Sequence, residues 1–471
     1  MSLRPPGRGG SLAIVLHTHM PLVVGHGTWP FGEEWLWEAI ATSYLPLLDL
    51  LDSGAPLTLS VTPVLADQLE DPKTNELCRA FLRELRPATH ELDEAEERAR
   101  GREDVAKAIR HSAAVYQEAA ELWDELDGDL IGAWAQHAAW TSSATHEVLP
   151  LAAVDGAVRM QLETGIASHR RRFAGWNGGL WLPECGHAPW MDRLLAEAGV
   201  HTAVVDWTDV LGRGAKRNLV PHASPEGPTL VPMDRELTEL VWSHDGYPAG
   251  PEYRDHHGLT THHHRAWAND GTAYDPARAW EAVRRDATSF LDAVEKRLVG
   301  ASGAVRDPLA VVAMDTELFG HHWHEGIWWL QTVVSQAAER GIEIERLDEA
   351  VARRRPVRIK EDPPETSWGR GRGFDVWSGP KAAEFAWRIR GTELRTRHNG
   401  KDASSPEQLR ALLALEASDW AFLHEGGSTG DYPTERAEAH LDSVQGALES
   451  EFPDTLESIA PDLRPNALFS P

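Results

Sequence analysis

Two segments set a carboxylic acid at the end of an apolar run. Gly179 to His187 reads G-L-W-L-P-E-C-G-H, and Val311 to Gly326 reads V-V-A-M-D-T-E-L-F-G-H-H-W-H-E-G. Each run reads as a buried parallel strand that stops at Glu184 or Asp315 and gives way to small and aromatic residues. An α/β barrel presents its catalytic groups in this way, at the carboxyl ends of its strands. Two acids so placed are what cleavage of a glycosidic bond requires, one to attack or stabilise the sugar cation and one to protonate the departing oxygen. Glu317, two residues beyond Asp315, points to the same side and is either its hydrogen-bond partner or the acid itself.

Histidines stand at comparable strand ends. His17 and His19 share one side of a strand, and His146 follows a further apolar stretch, so with His321 they converge on the same barrel mouth. Two chemistries stay open at this point. Such residues hold sugar hydroxyls, or an H-x-H pair with a carboxylate holds zinc or iron, as on the rims of metal-dependent deacetylases and amidohydrolases. The runs His256-His257 and His262 to His264 lie in a loop-like stretch and read as solvated. Twenty tryptophans against six tyrosines and ten phenylalanines favour sugar recognition, since indoles stack on the apolar faces of sugars while their N–H groups reach hydroxyls. Others serve the core.

The elements that must position these residues alternate in type. Strand-like runs at Leu12–Leu16, Leu57–Val61, Gly179–Leu182, Thr202–Val205 and Leu309–Met314 are followed by helical patterns such as Met191–Ala198 and Trp328–Arg340, the βα alternation of a parallel sheet. The 471 residues accommodate one barrel of about 250 residues with insertions and a further domain. Between about residues 86 and 128 the composition reads as an inserted, charged helical excursion. Residues from about 211 to 275, rich in Pro, Gly and His, read as a loop subdomain over the site. Beyond Pro356 the pattern becomes helical, at Pro380–His398, Pro406–Leu423 and Thr434–Glu449. The expected division is a catalytic barrel over 11–355 and a helical domain over 356–471.

A formal net charge of −27 argues against nucleic acid or an anionic membrane as partner, because phosphate binding needs clustered Lys and Arg, whereas a neutral polymer is not repelled. Two cysteines, Cys78 and Cys185, form no disulfide framework or zinc-type pair. Residues 1–10 carry two arginines but precede too short an apolar run for a signal segment or membrane span. A cytoplasmic protein is expected.

In order along the chain stand H-T-H-M-P at His17–Pro21, E-E-W-L-W-E-A at Glu33–Ala39, W-L-P-E-C at Trp181–Cys185, V-W-S at Val241–Ser243, G-Y-P at Gly246–Pro248, D-T-E-L-F-G-H at Asp315–His321, S-W-G at Ser367–Gly369 and S-D-W at Ser418–Trp420. This set resembles glycoside hydrolase family 57, and within it the glycogen branching enzymes. The resemblance implies an incomplete (β/α)7 barrel with a helical C-terminal domain, and retaining chemistry on α-1,4-glucans without a metal or organic cofactor. Glu184 falls on the family's nucleophile and Asp315 on its acid/base, for which the apolar neighbours Met314 and Phe319 are suited. Candidate sugar contacts are His17, His19, Trp35, His146, Trp242, Tyr247, His321, Trp368, Trp377 and Trp420, the last two being favoured. An α-amylase-like hydrolase and a glucan-binding protein with little turnover are the competing readings. One departure bears on that choice. The family's branching enzymes carry a loop tyrosine that keeps water off the glycosyl intermediate, and Arg217–Glu236 contains none, with Ala223 or His222 in its place.

Overall fold

In the computed structural model, which describes residues 9–173, 175–359, 363–446, 456 and 458–470, the run Ser11–Thr18 forms strand β1, buried along its whole length. An unbroken apolar strand of this kind belongs in a parallel sheet covered on both faces. β2 (Thr58–Val61) and β3 (Ala138–Trp140) follow on one side of it. β4 (Gly179–Leu180), β5 (Thr202–Val205) and β6 (Thr229–Pro232) continue in parallel, and β7 (Leu309–Asp315) returns beside β1. A single parallel bridge, Thr141 to Leu180, joins β3 to β4. Beyond β6 the Asp234 N–H donates to the Val311 carbonyl at 2.6 Å and brings β6 to β7. The ring of seven is therefore paired by ladders within β3-β2-β1-β7 and β4-β5-β6 and closed between these two groups by isolated bonds, an incomplete (β/α)7 barrel. Its register places His17 opposite both Ser60 and Asp315, so chemistry-bearing residues gather at one end.

Two elements differ from the sequence expectation. β6 lies inside the stretch read as loop, because its four residues are bounded by Pro228 and Pro232 within Gly/Pro-rich surroundings that hide so short a strand. His222–Ala223 pairs antiparallel with β6, Ala223 opposite Thr229, and also runs beside Val357–Arg358. The loop from Ser243 to Asp275 is not fully solvated either. Thr260, His262 and His264 reach Asp93 on helix α1 (Arg86–Ala99), and His264, 2% exposed, stacks on His90.

Helix α1 packs on α2 (Glu103–Glu125), the charged excursion expected after β2. Helix α3 (Pro276–Ala301) leads into β7, and α4 (Gly326–Arg340) leaves it. The C-terminal segment contributes α5 (Ala383–Asn399), α6 (Pro406–Leu415), α7 (Ser418–Gly426) and α8 (Tyr432–Gln445). The expected single helix over 406–423 is thus two, because Ala417 is extended and restarts the helix at Ser418. Residues 447–449 of the last expected helix, like residues 1–8, lie outside the described residues. No helix among the described residues is long and apolar enough to cross a membrane.

Candidate active site

Asp315 is the last residue of β7 and stands in register with His17 of β1. Glu184 reaches the same mouth by a backbone departure. After Leu182 and Pro183 the chain turns through Glu184 at φ 60°, ψ 21° and Cys185 at φ 51°, a left-handed conformation costly for side chains other than glycine. His146 is left-handed as well, at φ 66°. Such strain persists where surrounding bonds over-determine it, and here they do. The Trp368 indole donates to Glu184 Oε2 at 2.7 Å, its backbone N–H donates to the Glu184 carbonyl at 2.9 Å, and the Ser418 hydroxyl donates to Oε1 at 3.0 Å.

Behind Glu184 lies a stack of rings. His17 sits on Trp181 with centroids 4.6 Å apart, and His19 on His146 at 4.0 Å. His17 Nε2 meets His146 Nε2 at 2.9 Å, and His146 Nδ1 meets Ser418 Oγ at 2.9 Å. Burial holds both His17 and His146 far below the usual histidine pKa, so both are neutral. An ionised Glu184 only accepts hydrogen bonds, so Ser418 gives it its proton and must accept from His146 Nδ1–H. His146 Nε2 then accepts from His17 Nε2–H. The proton order of the whole chain is set by the charge on Glu184.

His19 behaves differently. Burial opposes its protonation, but Asp419, with oxygens 3.1 and 3.2 Å from Nε2, outweighs that together with Glu317 and Glu184 and raises its pKa. Glu317 is held by the Tyr44 hydroxyl at 2.6 Å and the His19 N–H at 3.1 Å. Four carboxylates therefore share the mouth. Burial raises Glu184 to about 7, against the hydrogen bonds from Trp368 and Ser418 that pull it down. Burial, with the charges of Glu317, Glu184 and Asp419, lifts Asp315 well above the carboxylate range, and no hydrogen bond opposes it. Glu317 is lifted to about 7, chiefly by burial. Of the two strand-end acids, Glu184 alone has hydrogen bonds that favour its charged form, whereas every cause acting on Asp315 favours its proton.

His19, His146 and Asp419 also bring one ligand atom each within 4.8 Å of one another, the geometry a metal would need. Every nitrogen of the two rings is engaged, however: His19 by Thr62 and Asp419, His146 by His17 and Ser418.

The other candidate residues divide. Trp368 meets Trp181 and Trp242 edge-on at 5.1 and 4.7 Å, all beside Glu184. Trp35 is partly buried against Phe31 and Tyr432. Trp420, expected among the sugar contacts, is fully buried, its indole donates to the Ala414 carbonyl, and Arg436 covers its ring, so it packs the C-terminal helices. Trp377, 3% exposed, is likewise a core residue, pressed under Gly369. Tyr247 bonds Ser289 of α3 and leans on Trp329, away from the acids. His321 also stands apart. It contacts His256 and His322, and its backbone N–H donates to Ser43 Oγ at 3.0 Å. Sequence reasoning missed Ser418 and Asp419, although S-D-W held them. At the first turn of α7 successive residues are about 100° apart, so Ser418 and Asp419 face the mouth while Trp420 points into the core.

The profile of glycosyl hydrolase family 57 matches residues 13–361, which spans the barrel and both acids. The chain belongs to glycosyl hydrolase family 57. A 1,4-alpha-glucan branching enzyme of Thermococcus kodakarensis is 32% identical over 92% of this chain and 72% of its own length. A probable 1,4-alpha-glucan branching enzyme of Mycobacterium tuberculosis is 31% identical over 96% of this chain and 94% of its own. The solved family 57 branching enzyme of Pyrococcus horikoshii superposes with a TM-score of 0.88 at 28% identity, covering 98% of this chain and 97% of that one.

Proposed function

We propose that this family 57 chain is a retaining 1,4-α-glucan branching enzyme. Glu184 attacks the anomeric carbon, and Asp315 protonates the leaving chain and then deprotonates an acceptor 6-hydroxyl. The observation that carries this is the unequal pair of acids: Asp315 lacks hydrogen-bond donors and holds its proton, while Glu184 has two donors aimed at its charged form. Similarity to branching enzymes over nearly the whole chain supports transfer rather than hydrolysis. His17, His19, His146, Trp242 and Trp368 line the sugar subsite, with Trp35 beside it. The catalytic unit spans about 11–355 and the helical unit about 356–471, and the protein works in the cytoplasm without nucleic acid or membrane as partner.

Incubation with amylose followed by linkage analysis tests this reading. New α-1,6 branch points are expected. An α-amylase-like hydrolase is the second reading, favoured by the absence of a tyrosine from Arg217–Glu236, and it would release reducing ends without branches. Glucan binding without turnover would contradict both.

A further inference from the structure

Behind the active-site wall, where the barrel meets the C-terminal helices, three buried glutamates converge. Glu147 follows His146, Glu393 comes from the middle of α5, and Glu416 caps α6 two residues before Ser418. They are 4%, 0% and 3% exposed, and each offers one oxygen within 4.8 Å of the other two. One oxygen of Glu393 accepts from the Ala153 N–H at 2.7 Å, and one of Glu416 from Gln161 Nε2 at 2.8 Å. Gln161 is itself fixed by donating to Thr145 Oγ1. The remaining oxygens, Glu393 Oε1 and Glu416 Oε1, have no hydrogen-bond partner among the described residues, and neither has Glu147 Oε2.

Three carboxylates without a cation in contact are costly inside a protein. The nearest positive charge is Arg390, whose Nε is committed to the Leu151 carbonyl. We propose that Glu147, Glu393 and Glu416 form a calcium site that fastens α5 and the start of α7 to the barrel. Calcium takes six to eight oxygen ligands at roughly 2.3–2.6 Å in flexible geometry and accepts several carboxylates directly, whereas magnesium keeps most of its waters and takes one or two, so three converging carboxylates favour calcium. An adjoining cleft lined by Glu147, Trp377, Arg390 and Glu416 gives water access to two of the three glutamates, to complete the shell. Burial holds all three glutamates above their usual pKa, with repulsion from neighbouring glutamates adding to it at Glu147 and Glu416, so calcium displaces protons on binding. The ion braces both sides of the Glu184 hydrogen-bond chain, because Glu147 adjoins His146 and Glu416 adjoins the segment whose Ser418 N–H donates to the His146 carbonyl at 3.2 Å.

The test uses the full chain, stripped with EDTA and desalted, and it is independent of any activity on glucan. Equilibrium dialysis is expected to find one tightly held calcium per chain, with proton release in unbuffered titration. Millimolar calcium chloride should move the thermal midpoint up by a few degrees, and magnesium chloride should move it less. Glu147→Gln keeps the shape, removes one charge and is expected to abolish both binding and the calcium-dependent shift. Glu393→Gln gives the same readout should the first variant fail to fold. No stoichiometric calcium on the native chain, a larger shift with magnesium, or an unchanged calcium response in the Gln variant would overturn the site.

Discussion

Ser418, the first residue of a C-terminal helix, donates a 3.0 Å hydrogen bond to Oε1 of Glu184, 234 positions earlier in the chain. The acid at the barrel mouth is thus oriented from outside the barrel, and its charge orders the protons of His146 and His17 behind it. Glu184→Gln should retain glucan binding and lose turnover by about a thousandfold or more, roughly 4 kcal/mol of transition-state stabilisation. Ser418→Ala removes one donor to the charged form, worth about 1.5–3 kcal/mol. It should lower kcat/KM by about tenfold to a hundredfold and move the acidic limb of the pH profile upward. Near-native turnover in the Gln variant would refute the nucleophile.

The pH profile follows from the two acids. Glu184 must lose its proton to attack, and its pKa is raised to about 7, so activity should rise through neutral pH. Asp315 must keep its proton, and burial with the charges of Glu317, Glu184 and Asp419 raises its pKa well above the carboxylate range, so loss of that proton sets the falling limb. The Glu317 charge is the largest neighbouring charge holding Asp315 up, after burial. Glu317→Gln keeps an acceptor for Tyr44 and removes that charge. The pKa of Asp315 should then drop and the alkaline limb move to lower pH. A limb that stays in place or moves up would show that another group sets it.

Chelation separates the two readings of the histidine cluster. Measured well below the unfolding temperature, branching is expected to survive exhaustive EDTA treatment, because the proposed steps use carboxylates and hydrogen-bonded imidazoles alone. A metal seated on His19, His146 and Asp419 would instead tie activity to stoichiometric zinc or iron, lost on removal and restored on return.

What was legible in the sequence were long runs and unusual residues at their ends. β1 and β7 read directly, because eight and six consecutive buried positions leave an apolar signature. β6 did not, since four residues between prolines carry no period. Glu184 and Asp315 stood out as acids beside tryptophan, glycine and proline. Ser418 and Asp419 did not, because their partners Glu184 and His19 are hundreds of residues away and only tertiary contact reveals them. Residue type favours Trp420 as a sugar contact, whereas helix rotation turns Ser418 and Asp419 of the same segment toward the site.

The same register argument relocates the water shield. Ala223 pairs with Thr229, the first residue of β6, and so stands at the amino end of the barrel, opposite the face that holds the acids. Ala223→Tyr should therefore leave the ratio of hydrolysis to branching unchanged. Trp207, 2% exposed, packs against His187 and His222, and Tyr247 is bonded to Ser289. The indole that covers Glu184 is Trp368, held in place by the Arg235 and Arg372 guanidinium groups on its carbonyl at 2.9 Å each. Trp368→Ala opens that side to water and should raise the share of reducing ends over α-1,6 branches. Trp368→Phe keeps a ring but loses the N–H bond, so Glu184 should titrate at higher pH while the product ratio changes less. If Ala223→Tyr shifts the ratio and Trp368→Ala does not, the shield lies on the loop between β5 and β6 after all, and the barrel-end assignment of Ala223 is the step that fails.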